Sequence, residues 1–229
     1  QTFEAAVHSL TDEVAAHRFA DHGAFAVVAV EGERQVLEEL RAVVEALVSS
    51  QKPLIYCGGG VTFSDSSCAL LALAEKIQAP VCTSLMGISA IPSDSALNLG
   101  LVGMHGTATA NMAVSQCDLL LAAGARFSDR VAGDRKSFAS NAKIIHLDID
   151  EKEIGKNVKT DLWILGDVGE TLSRLAQMVP KTSHSEWLHS LLRHKAYNAL
   201  PFIESEGSAV NPREVITALR SVGGADVLL

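Results

Sequence analysis

The most constraining stretch of the sequence is Leu119-Leu120-Leu121-Ala122-Ala123, opened by Asp118 and closed by Gly124. An apolar run this short, with no polar alternation, belongs to a strand buried on both faces, as in a parallel sheet. The loop that follows, 124–133, carries Arg126, Asp129 and Arg130, with Asp134 just beyond, so the strand delivers charge at its carboxyl end. That edge is where open α/β sheets bind ligands.

The same pattern recurs on either side. Val36, Leu37, Leu40, Val43, Val44 and Leu47 form one stripe of a helix over 34–49, which leads into a strand over 54–57 ended by Gly58-Gly59-Gly60. A helix marked by Leu70, Leu71, Leu73, Ala74 and Ile77 follows, then a strand over 80–83. Strands over 143–148 and 162–165 and a helix through Val168, Leu172, Leu175 and Ala176 complete a doubly wound α/β pattern. Between these, 85–92 is broken by Gly and Pro and reads as a loop crossing the carboxyl edge into 98–106; Thr107 then caps a helix through Ala110 and Val114.

The flanks are less regular. Residues 1–33 read as a helix carrying Phe3, Val7, Leu10 and Val14, a turn at Asp21-His22-Gly23 and a strand over 25–30. Residues 181–210 read as a helix and linker, and 211–229 as a further domain's opening, with Asn211 as cap, Pro212 at the first helical position, Glu214 completing a capping box and a strand from Ala225. The core domain is therefore expected over 34–180.

Composition excludes several functions. A net charge of -8 with scattered Lys and Arg leaves no footprint for nucleic acid or an anionic membrane. No apolar run reaches the roughly 18 residues of a spanning helix, so a cytoplasmic protein is expected. Cys57, Cys68, Cys82 and Cys117 lack C-x-x-C spacing and read as reduced core residues. His8, His17 and His22 share no ligand spacing, and His184, His189 and His194, five apart, spread around a helix; no metal site is expected.

Chemistry concentrates at the strand ends. Gly58, Gly59 and Gly60 let backbone approach a phosphate or nucleotide at a helix start; the alternative is a tight strand-to-helix turn that holds no ligand. The triplet is not a full G-x-G-x-x-G, because Phe63 stands at the third glycine, and Thr83-Ser84 replace the acid that holds an NAD ribose. Arg126, two residues beyond its strand, suits a phosphate; the alternative is a surface ion pair with Asp129 and Arg130. His105 lies open between glycines, and Asp148 and Asp150 can accept from ribose hydroxyls or an adenine amine.

Taken in order, Gly58-Gly59-Gly60-Val61, Thr83-Ser84-Leu85-Met86-Gly87, Gly103-Met104-His105-Gly106-Thr107, Arg126-Phe127 with Asp129-Arg130, His146-Leu147-Asp148-Ile149-Asp150 and Gly166-Asp167-Val168 resemble the central domain of acetolactate (acetohydroxyacid) synthase large subunits. These are thiamine-diphosphate enzymes that also carry FAD, decarboxylating pyruvate and joining the two-carbon unit to a 2-keto acid in branched-chain amino-acid biosynthesis. The resemblance implies a six-stranded parallel Rossmann-like sheet with FAD extended across it. It places Gly58, Gly59, Gly60, Thr83, Leu85, Met104, His105, Gly124, Arg126, Ser128, Val131, Asp148, Ile149, Asp167 and Val168 along the flavin, with Ser128 replacing the usual aspartate. Met104, Asp129 and Arg130 fall toward the substrate channel. The thiamine diphosphate and magnesium motif and the catalytic glutamate of the family lie outside the sequence, so no catalytic residue is assigned and the segment alone is expected to be inactive. Its expected partners are the remaining domains of a homo-oligomeric enzyme. The competing readings are a flavin- or NAD-dependent redox module and a non-catalytic interaction domain with a vacant nucleotide site.

Overall fold

The computed structural model describes residues 23–133, 135, 137–198 and 211–223. Six strands, β1 (Pro53–Cys57), β2 (Val81–Thr83), β3 (Asn98–Leu101), β4 (Leu119–Ala123), β5 (Lys143–Asp148) and β6 (Leu162–Leu165), form one sheet in the order β3-β2-β1-β4-β5-β6. Every neighbouring pair is parallel. The expected doubly wound six-stranded α/β sheet is therefore the observed one. Strand order reverses between β1 and β4, so the chains leaving those two strands diverge and open a crevice at their carboxyl ends.

Burial follows strand position. All residues of β1 and β4 are buried, because both faces of the sheet centre are covered. Along β1, Ile55 and Cys57 face one core while Leu54 and Tyr56 face the other. The first core is covered by helices α1 (Gly23–Ser49), α3 (Ser67–Ile77) and α6 (Val168–Met178), through Leu40, Val44, Leu47, Leu70, Leu73, Leu172 and Leu175. The second takes Ala110, Ala113 and Val114 from α4 (Ala108–Gln116) and Trp187 and Leu191 from α7 (Ser185–Tyr197). Short helices α2 (Gly59–Phe63) and α5 (Asp129–Ala132) follow β1 and β4. One compact unit extends to Tyr197 and another begins at Asn198; within the latter, α8 runs over Pro212–Gly223.

Local signals act as expected at the helix starts. Thr107 Oγ1 accepts from the Ala110 amide at 3.0 Å, Asp167 Oδ1 accepts from that of Glu170 at 2.8 Å, and the Asn211 amide donates to Glu214 Oε2 at 3.2 Å.

Three expectations are corrected. The stretch 25–30, expected as a strand, is helical and continuous with α1. Its run of Ala and Val has no turn before Arg34, and an unbroken apolar run does not by itself separate a strand from a helix. Residues 98–101, which the loop over 85–92 runs into and to which no strand is assigned from sequence, form edge strand β3, with a register shift between Val81 and Cys82 where it pairs with β2. Gly100, at φ +90°, hid it, since glycine inside a strand is a breaker signal that also marks irregular pairing. Cys68 is exposed on α3, whereas Cys57, Cys82 and Cys117 are buried. The expected N-terminal helix over 3–14 with His8, His17 and His22, and the strand from Ala225, lie outside the described residues.

Candidate functional site at the carboxyl edge

The two loops at the switch point meet backbone to backbone. The Gly58 amide donates to Ala123 O and the Gly60 amide to Gly124 O, each at 2.9 Å. A Cβ on Gly58 would fall on Gly124 O, and one on Gly60 would come within 2.7 Å of Gly124 Cα. Glycine is required here by close approach of the chains. Two of the three amides proposed from sequence for a phosphate are thus spent inside the fold, and Arg126 and Arg130 are the arginines that the loop after β4 leaves exposed.

Arg126 stands out from a buried frame. Ala125 and Phe127 on either side are 1% and 2% exposed, whereas the Arg126 side chain is 73% exposed. Its Nε lies 3.8 Å from Oε1 of Glu153, a buried carboxylate that also pairs with Lys156 Nζ at 2.8 Å. The surface ion pair considered from sequence, Arg126 with Asp129, is not the one formed: Asp129 pairs with Arg135. Glu153 gave no signal in the sequence, because a Glu in a polar turn looks solvated; it lies buried at the end of the 3-10 turn Glu151–Glu153.

On one side of Arg126, Gly103-Met104-His105-Gly106 docks on α5. The Met104 amide donates to Arg130 O at 2.9 Å, and Gly103, at φ +104°, lies too close to that carbonyl to carry a side chain. Asn111 locks the loop by accepting from the Gly103 amide at 2.8 Å and donating to Gly103 O at 3.0 Å. Met104, His105, Asp129 and Arg130 are exposed together, with Leu85 and Met86 exposed at the end of β2. Thr83, at that strand end, is buried with its hydroxyl unpartnered among the described residues.

On the other side lie the acids. Asp148 Oδ1 accepts from the Asp150 amide at 2.9 Å, while Oδ2 sits 3.6 Å from His146 Nε2. Ile149 is exposed beside it, Asp167 is exposed at the start of α6, and Val168 is buried behind Asp167. Ser128 and Gly124 belong to the Arg126 loop, with Val131 half-buried in α5. The sequence-derived residues therefore string out along one edge, from an apolar and imidazole end, past a guanidinium, to a carboxylate end. Among the described residues no three His, Cys, Asp or Glu are grouped to hold a metal ion, and no helix is long and apolar enough to cross a membrane.

The model of the thiamine pyrophosphate enzyme central domain matches residues 40–175, more than half of the chain. The chain belongs to this family. Thiamine pyrophosphate enzyme central domains of similar sequence occur in proteins named as acetolactate synthase large subunits. The probable subunit of Methanocaldococcus jannaschii is 43% identical over 80% of this chain and 32% of its own length. That of Parasynechococcus marenigrum is 42% identical over 79% of this chain and 30% of its own, and that of Lactococcus lactis 36% identical over 87% and 35%. The chain spans about a third of the length of these curated relatives.

Proposed function

We propose that this chain is the central, FAD-binding domain of an acetolactate synthase, a carboligase that decarboxylates pyruvate and joins the two-carbon unit to a 2-keto acid. The reading rests on one observation above others: Arg126 is an outward-facing cation two residues beyond β4, between an exposed Met104-His105 loop and the Asp148 and Asp167 carboxylates. FAD then lies along the carboxyl edge with its diphosphate at Arg126 and its adenosine end at Asp148, Ile149, Asp167 and Val168. The isoalloxazine end meets Thr83, Leu85, Met104 and His105, and Met104, Asp129 and Arg130 face the substrate channel. The flavin there is structural and not a net redox partner. Thiamine diphosphate and magnesium belong to the remaining domains of a cytoplasmic homo-oligomer, so this segment acts only in the complete enzyme.

The test is titration of FAD into wild type and Arg126→Ala, followed by flavin fluorescence quenching beside a thermal melt. Loss of a charge-assisted hydrogen bond, worth about 1.5–3 kcal/mol, weakens binding by roughly ten- to a hundredfold with little change in melting temperature. Equal affinities would remove Arg126 from the diphosphate site.

A further inference from the structure

Tyr56, Ala122 and His146 stand in register across β1, β4 and β5, on the same face of the sheet. Ala122 is small, and the ring of Phe127 returns from the loop beyond β4 to pack against both neighbours, 5.8 Å from Tyr56 and 5.2 Å from His146. Both polar rings are fully buried. Their tips reach consecutive carbonyls of one loop: His146 Nε2 lies 3.0 Å from Ala125 O, and the Tyr56 hydroxyl donates to Arg126 O at 3.3 Å.

The chemistry of these contacts is one-sided. A carbonyl only accepts, so His146 carries its proton on Nε2, and its buried Nδ1 has no partner among the described residues. Burial holds His146 below the ordinary histidine range, against the pull of Asp148 and Glu153, and burial likewise pushes the Tyr56 phenol well up. Both groups are therefore neutral donors at pH 7. Packing alone needs neither heteroatom, since phenylalanine and leucine fill such space without a polar group to satisfy.

We infer that Tyr56 and His146 are positioning residues for Arg126, pinning the carbonyls at and before it so that the guanidinium root is fixed over the crevice while Ala125 and Phe127 are held in. A pre-set backbone lowers the ordering cost when the guanidinium engages an anion. The inference rests on the reading of Arg126 as the diphosphate ligand, and the experiment separates the two.

Tyr56→Phe, His146→Leu and His146→Gln are compared with wild type by FAD titration, thermal melt and the heteronuclear NOE of the Arg126 Nε–H in 15N-labelled protein. Loss of one donor in Tyr56→Phe or His146→Leu lowers the NOE and weakens FAD binding about two- to tenfold. His146→Gln, whose amide donates to Ala125 O, restores both, which a space-filling role does not predict. An unchanged NOE in both donor-deleted variants overturns the inference, whatever FAD does. A lowered NOE with no FAD binding by wild type upholds the positioning and overturns the diphosphate reading. Should Tyr56→Phe not fold, the His146→Leu and His146→Gln pair decides alone.

Discussion

The two ends of the sheet use polar residues in opposite ways. At the amino end they bind the protein's own backbone. Asp118 accepts from Ser50 Oγ at 2.5 Å and from the amides of Gln51 and Lys52 at 2.7 and 2.9 Å, fastening the α1–β1 turn to the start of β4. Trp187 Nε1 donates to Pro53 O at 3.1 Å, His184 bridges to Ile77 O and Ser50 O, and Lys76 Nζ donates to Ala176 O at 2.7 Å. At the carboxyl end, Arg126, Asp129 and Arg130 are exposed, and Met104, Leu85 and Ile149 lie bare among them. The amino end buries its polar bonds between helices and strands, while the carboxyl end leaves its arginines, with Asp129, on the surface.

That contrast must fail at one place, the base of the carboxyl end. There Gly58 and Gly60 abut Gly124 with no side chain between them. Gly58→Ala is expected to have the largest effect on stability. The new methyl meets backbone and cannot rotate away, so overpacking costs about 3 kcal/mol or more. In a domain of this size that lowers the melting temperature by roughly 6–12 °C. Calorimetry decides: a shift under about 2 °C would mean that the loops part easily and that the glycines serve a ligand instead.

Asp118 sharpens the amino end. Burial alone would raise its carboxyl, but the hydrogen bonds from Ser50, Gln51 and Lys52 outweigh burial and hold it below the ordinary value. A carboxyl depressed in the folded state contributes stability that is present above the unfolded value, about 3.9, and is lost as pH falls through the folded value. Asp118→Asn loses the charge and turns an amide donor toward a backbone N–H, costing about 1.5–3 kcal/mol at pH 7. The penalty should shrink below about pH 4, where wild type forfeits the same contribution. Urea midpoints at pH 7 and pH 3 measure it, and a penalty independent of pH would place the loss in packing.

Which parts were legible follows from the range of the forces. Strands β1, β4 and β5 announce themselves as apolar runs because both faces are buried, and Thr107 and Asn211 mark helix starts through bonds spanning three residues. Strand β3 was not legible, since Asn98-Leu99-Gly100-Leu101 gains its shape from pairing with β2 across an irregular register. Helix over 25–30 was missed because composition leaves an alanine and valine run undecided. Arg126 was legible as a loop cation, but the buried Glu153 beside it and the donors beneath it, Tyr56 and His146, come from distant segments. Tyr56 looked like ordinary core, and no local pattern tells a ring that only packs from one that also holds a carbonyl.

The smallest expected effect belongs to Asp129, the same residue type as Asp118 at the opposite end. Its ion pair with Arg135 joins side chains that are 79% and 48% exposed, so water and salt screen the attraction and side-chain ordering opposes it. The α5 turn is held without it, through the Ala132 amide to Ser128 O at 2.8 Å and the Gly133 amide to Asp129 O at 2.9 Å. Asp129→Asn keeps the shape and the backbone bonds. It should change stability by less than about 0.5 kcal/mol at pH 7, several-fold less than Asp118→Asn under the same conditions. The two substitutions remove the same charge from one sheet, so net charge cancels from the comparison and only the end of the sheet differs. Urea midpoints for both variants at low and at 0.5 M salt give the answer. Equal losses would mean that α5 depends on the Arg135 pair, and the carboxyl edge would then be braced by its charges instead of offering them to a ligand.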